Sequence, residues 1–453
     1  MFQALRIAFP LVSGIVLGIG VLWMRAPFFV LARRSVGLLD ILISDLDEDD
    51  KFAAVNAATN KTILSLLKTL AFLAVVLGAT AWTYWYLPGM FWLDTLGEGW
   101  KFGVFTAGTV LPFLYPRKKK SAYGAMAQLF HHLILDHYHL GKALLKRQIK
   151  GVENPVNEQG TSAVLVTGLA RAGTTALTRT LTERGPFSSL DYSNMPVLMA
   201  PRLWAKFYKP SKKETQERAH GDGIKVGLAS VEALEEYFFK VITADRYITE
   251  KGLVAHGLST EENDLYRRYF KSLCGADQVY LAKNNNALLR LPSLLKQNPD
   301  MKVFVMIREP LQHAYSLLKQ HQKFTKEQQE DPFILDYMNW LGHHEFGLGQ
   351  KPFVFDGQSL VEQDRNSLNY WLERWIHYYT QIQSLEGVTV LRYENFLAAP
   401  DQVVERIAEV SGLSLNASGV ERFEKLDTKV PEHSDDLAAQ ASKLYMTLVG
   451  KYA

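Results

Sequence analysis

The sequence predicts an α/β fold, a mostly parallel sheet flanked by helices, behind an N-terminal region of transmembrane helices. Three observations predict it. From residue 160 onward, short apolar runs alternate with segments of helical period, the pattern of strands whose crossover helices cover both faces of a sheet. The residues best suited to hold a ligand, Arg171, Lys283, Arg308 and Tyr393, each fall just past one of those runs, where open parallel sheets gather their sites. The N-terminal third instead holds two long uncharged stretches, each close to the length that a helix crossing a bilayer needs.

Those stretches are residues 7–24, IAFPLVSGIVLGIGVLWM, and 69–87, TLAFLAVVLGATAWTYWYL. The second ends in aromatics suited to a membrane interface, and no small-residue cleavage site follows the first, which argues against a removable signal peptide. A third run, Phe102–Tyr115, is short and contains Gly103, Gly108 and Pro112. It reads as a third crossing or as a re-entrant segment. Arg25, Arg33 and Arg34 follow the first span, Lys61 and Lys68 precede the second, and Arg117, Lys118, Lys119 and Lys120 follow the third. Three crossings then put the N-terminus outside and everything after residue 117 in the cytoplasm, whereas two would return the C-terminal part to the N-terminal side. A set of buried core helices is the soluble alternative.

The expected organisation is a membrane anchor with two or three transmembrane helices at 1–120, a connecting helix and linker at 121–160, and a catalytic domain at 161–453. The acidic ISDLDEDDKF reads as a solvated loop or a helix start. Residues 121–150 read as one amphipathic helix and GVENPVNEQG, 151–160, as a linker with turn chemistry. His131, His132, His137 and His139 lack the spacing of a ligand set and read as a polar helix face, so no metal is expected. A single cysteine, Cys274, excludes an internal disulfide framework and reads as a small buried residue. A net charge of only +3 gives no reason to expect a nucleic-acid partner.

In the C-terminal part, SAVLVTGL reads as a strand and RAGTTALTRTLTER as a helix. QVYLAKN, KVFVMI and VTVLRY read as further strands, and 362–384 and 401–412 as long helices. The stretch Thr167–Leu181, TGLARAGTTALTRTL, carries the most chemistry. A strand, a small-residue turn and a helix start collect unpaired backbone N–H groups around one point, with the positive end of the helix dipole behind them. Gly168 and Gly173 permit the turn, Arg171 adds a cation, and Thr174 and Thr175 add hydroxyls. The phosphate loop of nucleotide triphosphatases would have Lys after its second Gly; here Thr174 stands there. A phosphate ester other than a triphosphate tail is therefore expected.

GLARAGTT resembles the 5′-phosphosulfate loop of the PAPS-dependent sulfotransferases, in which a Lys or Arg precedes a Ser/Ala-Gly-Thr-Thr. Two further matches follow in the family's order. MKVFVMIREPLQHAYSLLKQ, 301–320, is similar to the strand whose terminal Arg and a Ser eight positions later hold the 3′-phosphate; Arg308 and Ser316 keep that spacing. VTVLRYENF, 388–396, is similar to a strand ending in Tyr-Glu, whose Tyr, here Tyr393, lies near the adenine.

The resemblance, which covers roughly residues 165–415, implies PAPS as co-substrate and PAP as product. Arg171 and the backbone from Ala172 through Gly173, Thr174 and Thr175 to Ala176 would receive the 5′-phosphate. Lys283 matches a Lys that helps the transferring group in the tyrosylprotein branch. Lys429, beside Thr428, stands where a basic loop often closes over the 3′-phosphate, although the Arg-Lys-Gly tripeptide of the cytosolic enzymes is missing. PAPS is made in the bacterial cytosol, which agrees with three spans in an inner membrane and a cytoplasmic catalytic domain.

The catalytic base is open between Asp191, in FSSLDYSNMP, His220, in ERAHGDGIKVG, and the two acting together, with a turn residue and a loop cap as their structural alternatives. A carboxylate raised by burial or an imidazole would each serve at neutral pH. Glu232, Glu235 and Glu236 read as a solvated acidic face, or else as a border of the acceptor site, and His343, His344 and Glu345 as part of a substrate lid. The expected partners are the membrane and a small-molecule, lipid or glycan acceptor; homo-oligomerisation is left open. A nucleoside or sugar kinase is the competing enzyme, but it needs the missing Lys and an acidic metal ligand. A noncatalytic membrane scaffold with a nucleotide-binding fold is the competitor from another class.

Overall fold

The computed structural model describes residues 2–86, 97–114, 123–154, 160–208, 215–217, 225–227, 233–355, 362–422 and 429–452. The chain divides into two compact units, Met1–Leu140 and Gly141–Ala453.

The first unit is helical. Helix α1 spans Phe2–Leu42, α2 spans Glu48–Ala81 and runs on through a wide turn to Tyr86, and α3 spans Glu98–Leu114. Two segments, Ile7–Leu42 and Glu48–Tyr86, are long and apolar enough to be candidate membrane spans. Both exceed their apolar runs, and α2 has a capped start. Asp47 accepts the N–H of Asp50, and Glu48, Asp49 and Asp50 fill the first turn of α2, where carboxylates meet the positive helix end. α1 and α2 are antiparallel, tied by Ser13 Oγ donating to the Thr80 carbonyl at 2.8 Å and by Arg34 donating to the Lys61 carbonyl at 2.7 Å.

α3 lies against α1 and runs parallel to it: Gly14 faces Phe105 and Thr109, and Gly18 faces Thr109 and Pro112. A Cβ on Gly14, or on Gly108 across from it, would run into partner backbone. The small residues therefore let the two backbones touch, the packing device of helices in lipid. The amphipathic stretch expected over 121–150 is two helices, Ala125–Leu135 and Tyr138–Gln148. Within it His131 and His137 are buried rather than on a polar face. His131 folds back to pair with the Ala127 carbonyl at 2.8 Å, which lets the imidazole leave water.

The second unit is built on a five-stranded sheet: β1 Ala163–Thr167, β2 Phe187–Ser188, β3 Val279–Lys283, β4 Met301–Ile307 and β5 Val388–Arg392. The order is β2-β3-β1-β4-β5 and every pair is parallel. β1 is buried along its whole length and β4 nearly so, as strands covered on both faces must be. Val164, Val166, Phe304, Met306 and Leu391 pack against Leu177 and Leu181 of helix Thr174–Arg184 and against Phe396 and Ile407. The register aligns Val166 with Lys283, Thr167 with Val305 and Ile307 with Arg392. The carboxyl ends of β1, β3, β4 and β5 thus open on one edge. Successive connections depart in opposite directions from β1, so the crevice between β1 and β4 is the switch point where such sheets bind ligands.

Candidate functional site

The loop after β1 is conformationally demanding. Gly168 has φ 142°, Gly173 has φ 93°, and Arg171 adopts φ 70° without being glycine, a posture that costs on the order of 1–3 kcal/mol and is held by its surroundings. A Cβ on Gly168 would lie 2.5 Å from the Met306 carbonyl oxygen, and one on Gly173 would lie 2.5 Å from the Tyr393 ring. The loop therefore touches the ends of both β4 and β5. Of the N–H groups expected to face an anion, that of Ala172 is spent within the loop, on the Leu169 carbonyl at 3.1 Å. Those of Thr174, Thr175 and Ala176 open a helix of 11 residues and have no helical carbonyl to receive them.

His313, which sequence reasoning passed over, supports this loop from beneath. It is fully buried in helix Pro310–Glu330, bonds the Ala170 carbonyl through Nε2 at 2.7 Å, and accepts from Trp375 Nε1 at 3.1 Å. Burial, reinforced by the Arg308 charge, lowers its pKa to about 3. The ring is thus neutral with its proton on Nε2. Tyr379 donates to the Met306 carbonyl at 2.7 Å, so helix Leu368–Gln383 braces β4 through the same aromatic layer.

The crevice gathers cations. Arg171 Nε lies 3.4 Å from Ser316 Oγ, Arg308 donates to the Arg171 carbonyl at 3.3 Å, and the Arg308 guanidinium sits 4.8 Å from the centre of the Tyr393 ring. Neighbouring carboxylates are engaged elsewhere: Glu309 caps its own helix at Leu311 and Gln312, and Glu394 accepts from the Glu309 N–H and the Tyr445 hydroxyl. Burial, with Arg171 adding to it, depresses the Arg308 pKa. Lys319, one helical turn beyond Ser316, is lowered by burial and then by Arg308 and Arg171. Lys319 thus stands within electrostatic reach of both arginines, its ammonium 4.5 Å from the centre of the Tyr315 ring, and is detectable in sequence only as an i, i+3 partner of Ser316.

Lys283 ends β3 beside the loop and is 6 % exposed. The next residue, Asn284, is fastened on every side. Its N–H donates to the Val166 carbonyl, its carbonyl accepts Thr167 Oγ1 at 2.7 Å, and its amide donates to Glu235 and Glu236 at 3.2 and 3.0 Å. Asn285 accepts Thr174 Oγ1 at 3.3 Å. Glu235 and Glu236 are buried at 3 % and 1 % exposure, which corrects the expectation of a solvated acidic face.

The reason is Arg290, which meets Glu236 in a bidentate pair at 2.7 and 2.8 Å, while Tyr266 donates to Glu235 at 2.6 Å. Burial would raise the Glu236 pKa, but Arg290 outweighs it and the result is a lowered value; Glu235, without a guanidinium partner, is raised by burial.

Asp191 caps the short helix Tyr192–Asn194, accepting Ser193 N at 2.8 Å and Ser193 Oγ at 2.5 Å, and burial raises its pKa. Ser189 Oγ donates to the Leu281 carbonyl at 2.8 Å, which ties this segment to β3 two residues before Lys283. His220, Glu232 and Thr428 lie outside the described residues. Lys429 is exposed and has no described contact with Arg308 or Ser316. His343 and His344 bond the carbonyls of Ala233 and Gly349 at 2.7 and 2.9 Å, so the stretch expected to serve as a lid is tied down by its own imidazoles. Cys274 is half-buried, its thiol 3.4 Å from the Phe270 carbonyl.

A model of the sulfotransferase family matches residues 163–417, more than half of the 453. No curated protein sequence matches the chain. Among solved structures, the sulfotransferase STF1 of Mycobacterium tuberculosis H37Rv is similar at 15 % identity and a TM-score of 0.41, over 72 % of this chain and 87 % of that one. Sulfotransferase STF9 of Mycobacterium avium gives 12 %, 0.37, 78 % and 84 % in the same order. A sulfotransferase from Alicyclobacillus acidocaldarius gives 15 %, 0.32, 65 % and 96 %.

Proposed function

Because the chain belongs to the sulfotransferase family, we propose that it transfers a sulfuryl group from PAPS to a hydroxyl of a lipid or glycan acceptor at the cytoplasmic face of a bacterial inner membrane. Family membership carries sulfuryl transfer to a small-molecule acceptor; the donor, the acceptor class and the residue roles are the reading proposed. One observation carries it. Arg171 contacts Ser316 and Arg308 although 145 and 137 positions separate them in the chain, so the loop after β1 and the segment after β4 meet in one crevice, with Glu309 and Glu394 hydrogen-bonded elsewhere.

The proposed occupant of the crevice is an adenine nucleotide phosphorylated at both ends. Bound there, PAPS supplies the sulfuryl group. Arg171 and the N–H groups of Thr174, Thr175 and Ala176 stabilise charge growing on the 5′-phosphate, the electrostatic term that dominates such transfers. Arg308, Ser316 and Lys319 hold the 3′-phosphate, Tyr393 lines the adenine side, and Lys283 neutralises the group in flight. A new S–O bond forms to the acceptor oxygen as the bond to the 5′-phosphate oxygen breaks. Asp191 takes the hydroxyl proton; its raised pKa and the tether to β3 support that role. Thr174 stands where a kinase needs Lys, and its hydroxyl is engaged by Asn285.

Three crossings, with the N-terminus outside and the catalytic domain inside, are supported by α3 running parallel to α1 and by the basic residues at 117–120. A thermal-shift comparison of PAP, PAPS and ATP–Mg²⁺ on the full chain in detergent tests the donor. PAP at a hundredfold excess over its Kd adds about 2.7 kcal/mol of stability, and Arg308→Ala or Ser316→Ala removes the gain. A preference for ATP–Mg²⁺ overturns the reading.

A further inference from the structure

Away from the crevice, a groove of about 360 Å³ is lined by Arg147, Gln148, Lys150, Arg202, Leu203 and Lys206. Four of the six are cations and none is a carboxylate. The groove is built, because Gln148 fixes its walls: this side chain is 5 % exposed, donates to Ser272 Oγ at 2.9 Å and accepts the Arg202 N–H at 3.2 Å. The end of helix Tyr138–Gln148 is thereby pinned to helix Pro201–Trp204.

A second feature adjoins it. The turn after Pro201–Trp204 presents Phe207 at 78 % exposure and Tyr208 at 37 %. The Tyr208 ring stacks on Trp204 at 5.3 Å, and Trp204 Nε1 is anchored to the Ser193 carbonyl at 3.0 Å. Exposed aromatics beside lysines and arginines are the composition of a membrane–water interface: cations meet lipid phosphates while rings enter the headgroup layer. A soluble phosphate ester would use the cations and leave the rings without a purpose.

We infer that this face docks the catalytic unit on an anionic phospholipid surface, with lipid phosphates in the basic groove and Phe207 in the headgroup layer. The inference rests on the membrane-anchored reading above. Charge complementarity points to that occupant, and the basic run 117–120 stands in sequence between helix Glu98–Leu114 and Arg147.

The test uses the full chain carrying Cys274→Ser and Ala205→Cys, labelled with a polarity-sensitive fluorophore, in nanodiscs of phosphatidylcholine with or without phosphatidylglycerol. The expected result is a blue-shifted, quencher-protected label in anionic discs only. Replacing Arg147, Lys150, Arg202 and Lys206 together by Ala abolishes the protection, while PAP binding shows that the variant is folded. Equal protection in neutral discs, protection that survives the four alanines, or its loss on adding glycerol phosphate overturns the inference. Failure to co-elute with any disc overturns the anchor instead. In that case sedimentation with anionic vesicles still decides the face: the four alanines weaken vesicle binding by about 100-fold or more if the inference holds, and unchanged binding overturns it.

Discussion

Buried His313 makes the second unit sensitive to acid. Its folded pKa of about 3 lies below the ordinary imidazole value, and burial also lowers His256 and His321 to about 4. In each case the unfolded chain binds the proton first, so the stability these residues contribute is present above pH 6.5. It is lost progressively as pH falls from there toward 4 and then 3. Melting temperatures recorded across that range should decline in the wild type, and His313→Gln should flatten part of the decline while weakening PAP binding at pH 7.5. Gly173→Ala drives a Cβ toward the Tyr393 ring at a φ of 93°. It should cost about 1–3 kcal/mol in denaturant unfolding and most of the nucleotide affinity. Lys319→Ala should weaken PAP roughly fivefold in calorimetry with little effect on stability, the scale of one partly screened ion contact. If Asp191 is the base, Asp191→Asn keeps the cap and lowers kcat by about 10²–10⁴-fold in a sulfuryl-transfer assay. Arg171 and Arg308 were legible in the sequence because each stands just past a strand, and Ser316 because it follows Arg308 by eight positions. His313 and Lys319 were not, since what they do depends on which distant loop their helix face meets.

At the scale of elements, the parallel strands were readable as apolar runs bounded by turn chemistry, and the helices near 368–383 and 400–411 as periodic patterns. Glu235 and Glu236 were misread for a definite physical reason. Their partner Arg290 lies 54 residues beyond Glu236, and no local pattern announces a buried ion pair. Breaking that pair is costly: Arg290→Met should destabilise the second unit by about 3–5 kcal/mol because it strands a buried carboxylate. The loss would reach Lys283 through Asn284, which hangs from the same two carboxylates. In the first unit, the glycines and proline of the run Phe102–Tyr115 leave a crossing and a re-entrant segment equally open in sequence. Its Gly108 is instead the contact itself, since it admits the backbone of Leu11.

For the whole molecule, the number of crossings decides which compartment the crevice faces. In the Cys274→Ser background, an impermeant maleimide added to intact cells should label Gly97→Cys and spare Lys51→Cys; the reverse pattern overturns the three-span topology. The parallel course of α1 and α3 also has a chemical corollary. On the three-span topology and amphiphilic acceptor proposed above, the acceptor would be modified on the inner leaflet and acquire a permanent anion there. Such a molecule cannot flip unaided across hydrocarbon, so a sulfated amphiphile destined for the cell exterior would stay trapped where it was made until dedicated export machinery carried it over.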